Sequence, residues 1–315
     1  MLTFMAKIIR QRVFTILPLF PKALKELLKN DPLRMAGATA FFTTFALPPI
    51  LVILIQSLKL FFSGRAIRTE LFKSLSDVVG PEAVEQLVGV LQSLRKLAQN
   101  WYITIGGFIF LLFVATTLFK VIQSSLNQLW RIKPQRKQGI LKSLRSRGQS
   151  LLVILLAGAL FVIGVSAEGI RTFIGNYIFE FSPLLSTYFN GFLNHFVSTL
   201  MVMFWFVMVF RYLPDGRPKW NVAFTGAFVT ALLFTLGKII LHWLLTYSNI
   251  NTLYGTSASI VLLLLFVFYS SLILYFGAAF TKVWAMHKGQ PISPLPHAMH
   301  YRVIETGLEG KHPEK

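Results

Sequence analysis

Six apolar runs limit what this chain can become: roughly 36–60, 101–119, 150–169, 189–212, 221–247 and 257–281. A run of about 20 apolar residues matches the hydrocarbon thickness of a bilayer. Inside lipid, only a helix or a closed barrel satisfies its own backbone hydrogen bonds, and the alternation of barrel strands is absent. The runs therefore predict an all-α polytopic membrane protein with six transmembrane helices. A composition of 54% hydrophobic and 14% charged residues agrees, as does a mean hydropathy of +0.61. No cleavable signal peptide is expected, because "VFTILPLF" is short, runs into "PKALKELLK" and lacks a small-residue cleavage site.

The net charge of +19 invites a nucleic-acid reading, but its distribution explains it better as orientation. With the N-terminus in the cytoplasm, the inner segments hold 23 Lys and Arg against six acids, or +17; the outer segments, with Glu168 at a span end, hold seven bases and six acids, or +1. Lys238 inside span five completes the total. This asymmetry follows the positive-inside rule and places both termini in the cytoplasm. Trp101, Tyr102 and Tyr247 then mark the outer interface, and Trp220 and Trp284 the inner one.

Three regions follow. Residues 1–34 form a cytoplasmic basic amphipathic segment in which "PKALKELLKNDP" reads as a short helix on the inner leaflet, lysines toward anionic headgroups. Residues 35–285 form the membrane domain. It includes an external helical cap at about 61–100, where Val84, Leu87, Leu91, Leu94 and Ala98 share one face and Ile67, Leu71, Leu75 and Val78 another. It also includes a basic cytoplasmic elbow at about 120–149, where the second span's helix runs on and stops before Pro134. Residues 286–315 are expected to be a disordered cytoplasmic tail.

Chemistry is sparse. The chain has no cysteine, hence no disulfide, thiol nucleophile or thiolate metal site. No H-E-x-x-H, Walker loop or G-x-S-x-G occurs, so no catalytic residue, cofactor or metal is assigned and the protein is not expected to be an enzyme. His297 and His300 in the tail are spaced for chelation but lack visible partners.

What stands out is polar residues within spans. Lys238 and Glu168 lie at matching depths in the outer half, with His195 and Asn194 on span four and His242 one turn beyond Lys238. Thr235, Lys238 and His242 share a stripe with Ala231. A lysine at a span centre opposes insertion by about 2.5–3.5 kcal/mol. Lys238 therefore either snorkels to the outer interface or faces an interior polar cavity, with Glu168 as counter-charge. In span one, Pro48 and Pro49 remove two donors near Thr44, which predicts a kink: either a packed one relieved by Thr43 or Thr44, or a helix break that lines a cavity. Ala223, Ala227 and Ala231 form a small-xxx-small seam on span five.

The stretches "MAGATAFFTTFALPPI", "SLNQLWR", "GAFVTALLFTLGK", "LYG" and "LILYFGAAFT" resemble the YihY/BrkB family of bacterial inner-membrane proteins over about residues 31–285. Lys238 matches the family's lysine, while Thr235 and Ala279 stand where the family typically has glutamates. The ribonuclease label that the family once carried finds no acidic metal cluster or paired histidines here, and no nucleic-acid partner is expected. The resemblance implies a multi-pass inner-membrane protein concerned with envelope integrity. Together with the polar layer, it leads to the expectation of a protein that handles or transports a lipid or other amphiphile. Membrane lipids are the expected partners, with anionic phospholipid at the basic cytoplasmic loops. A non-transporting scaffold for envelope assembly is the alternative.

Overall fold

The computed structural model describes residues 16–58, 101–135, 183–247 and 258–302, together with scattered positions between 71 and 92 and Ala159. A short helix, α1 (Leu19–Leu28), precedes α2 (Pro32–Leu58), α3 (Trp101–Trp130), α4 (Pro183–Tyr212), α5 (Trp220–Tyr247) and α6 (Ala258–His287). The five long helices have 27 to 30 residues, about 40–45 Å at 1.5 Å per residue. Within them, Trp220–Leu241 and Ile260–His287 are long and apolar enough to cross a bilayer, and Phe196–Tyr212 is a shorter apolar stretch. The run at 150–169 lies outside the described residues apart from Ala159, which is helical.

Helix α6 is the hub, packing against α1, α2, α3 and α5, while α2 also packs on α3 and α4 on α5. Its contact face is small: Ala278, Ala279 and Ala285 are fully buried, as is the larger Tyr275. On α5 the seam of Ala223, Ala227 and Ala231 is fully buried too, because side chains this small let helix backbones approach closely. Facing outward are Phe41 and Phe45 of α2, Ile109, Phe110 and Phe113 of α3, and Phe228, Leu232, Leu236 and Ile240 of α5. Large apolar side chains on the outside of a bundle are the arrangement that a lipid environment favours.

The helix α2 is continuous through Pro48 and Pro49, which corrects the broken-helix alternative for span one. Pro48 and Pro49 withdraw the donors that would meet the carbonyls of Thr44 and Phe45. In the turns before them Thr43 Oγ1 donates to the Thr39 carbonyl at 2.7 Å and Thr44 Oγ1 to that of Ala40 at 3.0 Å, bonds that bend a helix without breaking it. Pro48 is buried between the buried Ala46 and Leu51, so packing on neighbouring helices holds the turn.

The expected disordered tail is also corrected, at least to Arg302. Helix α6 ends at His287, and the chain turns at Gly289, φ +63°, where Gly289 N–H donates to Met286 O at 3.1 Å and Gln290 N–H to Ala285 O at 2.8 Å. This glycine-terminated double bond turns the chain sharply. The chain then forms β3 (Ser293–Pro294), paired antiparallel with β2 (Gly216–Arg217), and β4 (Ala298–His300), paired antiparallel with β1 (Ile132–Pro134). Ile292 and Ala298 are buried. Backbone pairing and two small apolar anchors therefore order a segment whose sequence shows no periodicity.

Between α2 and α3, the described residues at 71–72, 76, 84–85, 87–89 and 91–92 are helical, with Leu71, Val84 and Leu87 buried. Val84 packs with Leu263 near the start of α6.

Candidate functional site

Two polar regions occupy different levels of the bundle. The first surrounds Lys238. Helices α4 and α5 form a hairpin, and Thr199 Oγ1 meets Thr235 Oγ1 at 3.5 Å. Counting along both helices from that contact brings Lys238 level with residues 195 and 196. Lys238 and Thr235 are half-buried. Leu236, Ile239 and Ile240 are each more than half exposed, and at 100° per residue Lys238 lies on the side of α5 away from them. Gly237 beside it is pressed against α6, with Tyr269 Cε2 at 2.7 Å and Ile273 Cδ1 at 2.9 Å from where a Cβ would stand. Asn194, His195 and His242 are in the helical stretches of α4 and α5, but their side chains lie outside the described residues, as does all of Glu168.

The second region lies at the bundle end formed by the starts of α2 and α5 and the ends of α3, α4 and α6. Here the buried Asp215, in the turn after α4, accepts a hydrogen bond at Oδ2 from Asn127 Nδ2 (2.8 Å) and at Oδ1 from Gln123 Nε2 (3.3 Å). Its own N–H donates to Asn127 Oδ1 at 2.9 Å. His297 Nε2 stands 3.1 Å from Oδ1, and Leu295 N–H donates to the Asp215 carbonyl at 2.8 Å. Asn127 answers both a donor and an acceptor of one residue, a reciprocal pairing that fixes α3 to the α4–α5 turn. The C-terminal segment closes over it.

Nearby, Lys282 of α6 bridges Glu26 of α1 at 2.6 Å and donates to the Leu129 carbonyl near the end of α3 at 2.7 Å. Trp130 Nε1 donates to Ala278 O at 3.0 Å, and Tyr275 Oη bonds Thr39 Oγ1 at 2.5 Å. Buried polar groups left unmet cost about 1–3 kcal/mol each, so these pairings select one arrangement of α1, α2, α3 and α6. A carboxylate so fully engaged is an organiser of structure rather than a reactive group. Among the described residues, no three His, Asp or Glu side chains converge where a metal could sit.

Sequence reasoning did not single out Asp215, Asn127, Glu26 or Lys282 as partners. Its available signal was an aspartate among basic residues in a short turn, together with the polar "LNQ" beside Trp130. The structure does gather the N-terminal helix, the exit of α3, the α4–α5 turn and the C-terminal segment at one end. These are the four segments whose basic residues indicated a common side. Their described residues hold twelve Lys and Arg against Glu26, Asp31 and Asp215. Arg211 stacks on Trp220 at 4.3 Å and Lys288 on Trp284 at 4.9 Å, the amphipathic pairing suited to a membrane–water boundary.

Residues 23–301 match the family model described as virulence factor BrkB. The chain is 28% identical to a UPF0761 membrane protein of Haemophilus influenzae (strain 86-028NP) over 263 residues, covering 81% of this chain and 90% of the relative. It is 31% identical to another from Haemophilus influenzae (strain PittEE) over 211 residues, covering 67% and 71%. A UPF0761 membrane protein of Saccharophagus degradans matches at 24% over 88% of this chain, which spans only 62% of that relative's length. No solved structure matches. With the family model covering most of the chain and relatives called membrane proteins across it, this chain belongs to the BrkB family of membrane proteins.

Proposed function

We propose that the protein handles or transports a lipid or other amphiphile through a polar cavity in the half of the bundle that contains Lys238, and that it is not an enzyme. The observation carrying this reading is the position of Lys238, half-buried and across α5 from the exposed Leu236, Ile239 and Ile240, beside the Thr199–Thr235 contact of the α4–α5 hairpin. A cation at a span centre opposes insertion by about 2.5–3.5 kcal/mol, and one off-centre by less; an anionic amphiphile headgroup offsets that cost where water cannot. In this reading Glu168 is the candidate counter-charge, and His242, His195 and Asn194 are the candidates for the cavity's other polar groups. The protein sits in the inner membrane with both termini cytoplasmic, so that the basic end meets the cytoplasmic leaflet.

The test is transport in proteoliposomes of purified protein, using headgroup-labelled phospholipid and a membrane-impermeant quencher. Wild type should move the label between leaflets, and Lys238→Met should lower the rate at least about tenfold while unfolding at a similar temperature, as expected when a group acts on the transported species rather than on the fold. A wild-type rate equal to that of empty liposomes, with no lipid retained by the purified protein in native mass spectrometry, favours the scaffold reading. Full activity of Lys238→Met means that the lysine snorkels.

A further inference from the structure

We propose that α1 is an interfacial helix whose Lys22 and Lys25, with Lys29 capping its end, bind anionic phospholipid headgroups, with Lys282 as the positioning residue that turns it to do so. This site is separate from Lys238 and stands or falls independently of the transport reading.

At 100° per residue α1 has three sectors. Leu19, Ala23 and Leu27 are 3%, 0% and 5% exposed and form the sector packed on the bundle, with the Phe20 ring 5.8 and 5.4 Å from those of Phe276 and Phe280 on α6. Leu24 and Leu28 form a second sector that is 48% and 62% exposed, and Leu17 just before the helix is exposed as well. Lys22, Lys25 and Lys29, all exposed, form the third. A helix with one face on protein, one apolar face open and one cationic face fits a position in the plane of the membrane surface, its leucines among acyl chains and its lysines at headgroup level. A soluble acidic partner would match the lysines but leave unexplained the open leucine face beside them.

Glu26 decides the sign of the outer face. It is the one acid in α1 and lies between the lysine sector and the buried sector. Lys282 Nζ holds its carboxylate at 2.6 Å, with the two side chains 16% and 17% exposed, while also donating to Leu129 O at 2.7 Å. The pair draws the negative charge inward and fixes the rotation of α1, so the outward charge is purely positive. Each lysine near an anionic surface is worth about a fivefold preference.

The experiment uses the full chain in nanodiscs of phosphatidylcholine mixed with phosphatidylglycerol, and reads the ratio of the two lipids retained after detergent extraction by native mass spectrometry. Wild type should be enriched in phosphatidylglycerol, less so when nanodiscs are assembled at high salt. The triple variant Lys22→Gln, Lys25→Gln, Lys29→Gln, all at exposed positions, should lose that enrichment by about fivefold or more. Lys282→Met should lower it as well, because Glu26 is then free to face the lysines. In this cysteine-free chain, a nitroxide at Leu24→Cys should be accessible to oxygen and one at Lys25→Cys to an aqueous nickel chelate. Undiminished enrichment in the triple variant, or a water-exposed label at position 24, overturns the proposal; these two measurements decide the matter if Lys282→Met fails to fold.

Discussion

Thr281 of α6 occupies the space in which a Cβ on Gly226 of α5 would stand, and Thr230 of α5 does the same to Gly277 of α6. Each threonine hydroxyl donates to the carbonyl of the glycine four residues before it on its own helix, at 2.7 Å in both cases. Two G-x-x-x-T turns thus interlock across an antiparallel crossing, each threonine seated on the other helix's glycine. Because a threonine is stiff at χ1 and its hydroxyl is already bonded, neither side chain can swing away cheaply.

Gly226→Ala should therefore destabilise the protein by about 1–3 kcal/mol through overpacking, as should Gly277→Ala, measured by thermal unfolding in detergent. Thr281→Ala should recover much of the Gly226→Ala loss, since contacting residues couple in a double-mutant cycle. Additive losses would mean that the crossing is loosely packed.

Asp215 gives a second prediction. Asn127→Ala removes one acceptor and one donor from a buried carboxylate residue, which should cost about 1–3 kcal/mol. Asp215→Ala also removes the partner of His297, so the C-terminal segment from 288 to 302 should become sensitive to protease while the helices stay protected. Equal protease resistance in Asp215→Ala and wild type would show that β-pairing alone holds the segment.

The shared end of the bundle predicts labelling behaviour. Single cysteines at Asp31, Lys133, Lys219 and Ser293 should all be protected from an impermeant maleimide in intact cells and should all react once the inner membrane is opened. One at Ser76 should react in intact spheroplasts. A mixed pattern among the first four would contradict the common end, and uniform labelling from outside would reverse the proposed orientation.

Replacing Pro48 and Pro49 with alanine restores two backbone donors to a helix that is already continuous. The expected outcome is an unchanged or higher unfolding temperature, because an interior proline costs a helix about 3 kcal/mol. A large loss of stability would show that the proline rings themselves are required for packing.

The sequence by itself determined the long helices, because a bilayer-length apolar run permits little else. It also located the exit of α3 near Pro134, the buried Ala223, Ala227 and Ala231 seam, and the family, through stretches such as "SLNQLWR". It singled out Lys238 and Thr235 through their polarity in an apolar helix, but the contact of Thr235 with Thr199 of α4 needed the neighbouring helix in place. Only the tertiary structure decided which polar residues meet. Asn127 and Asp215 are 88 positions apart and Glu26 and Lys282 are 256 apart, and pairs that distant leave no periodic trace in a single chain. The same reason explains the two corrections. Proline's effect on α2 was judged from the lost backbone donors, whereas packing against neighbouring helices maintains the turn. The segment after α6 looked unstructured because its order comes from strands donated by residues 132–134 and 216–217, which fold against it only once the helices have brought them to the same end.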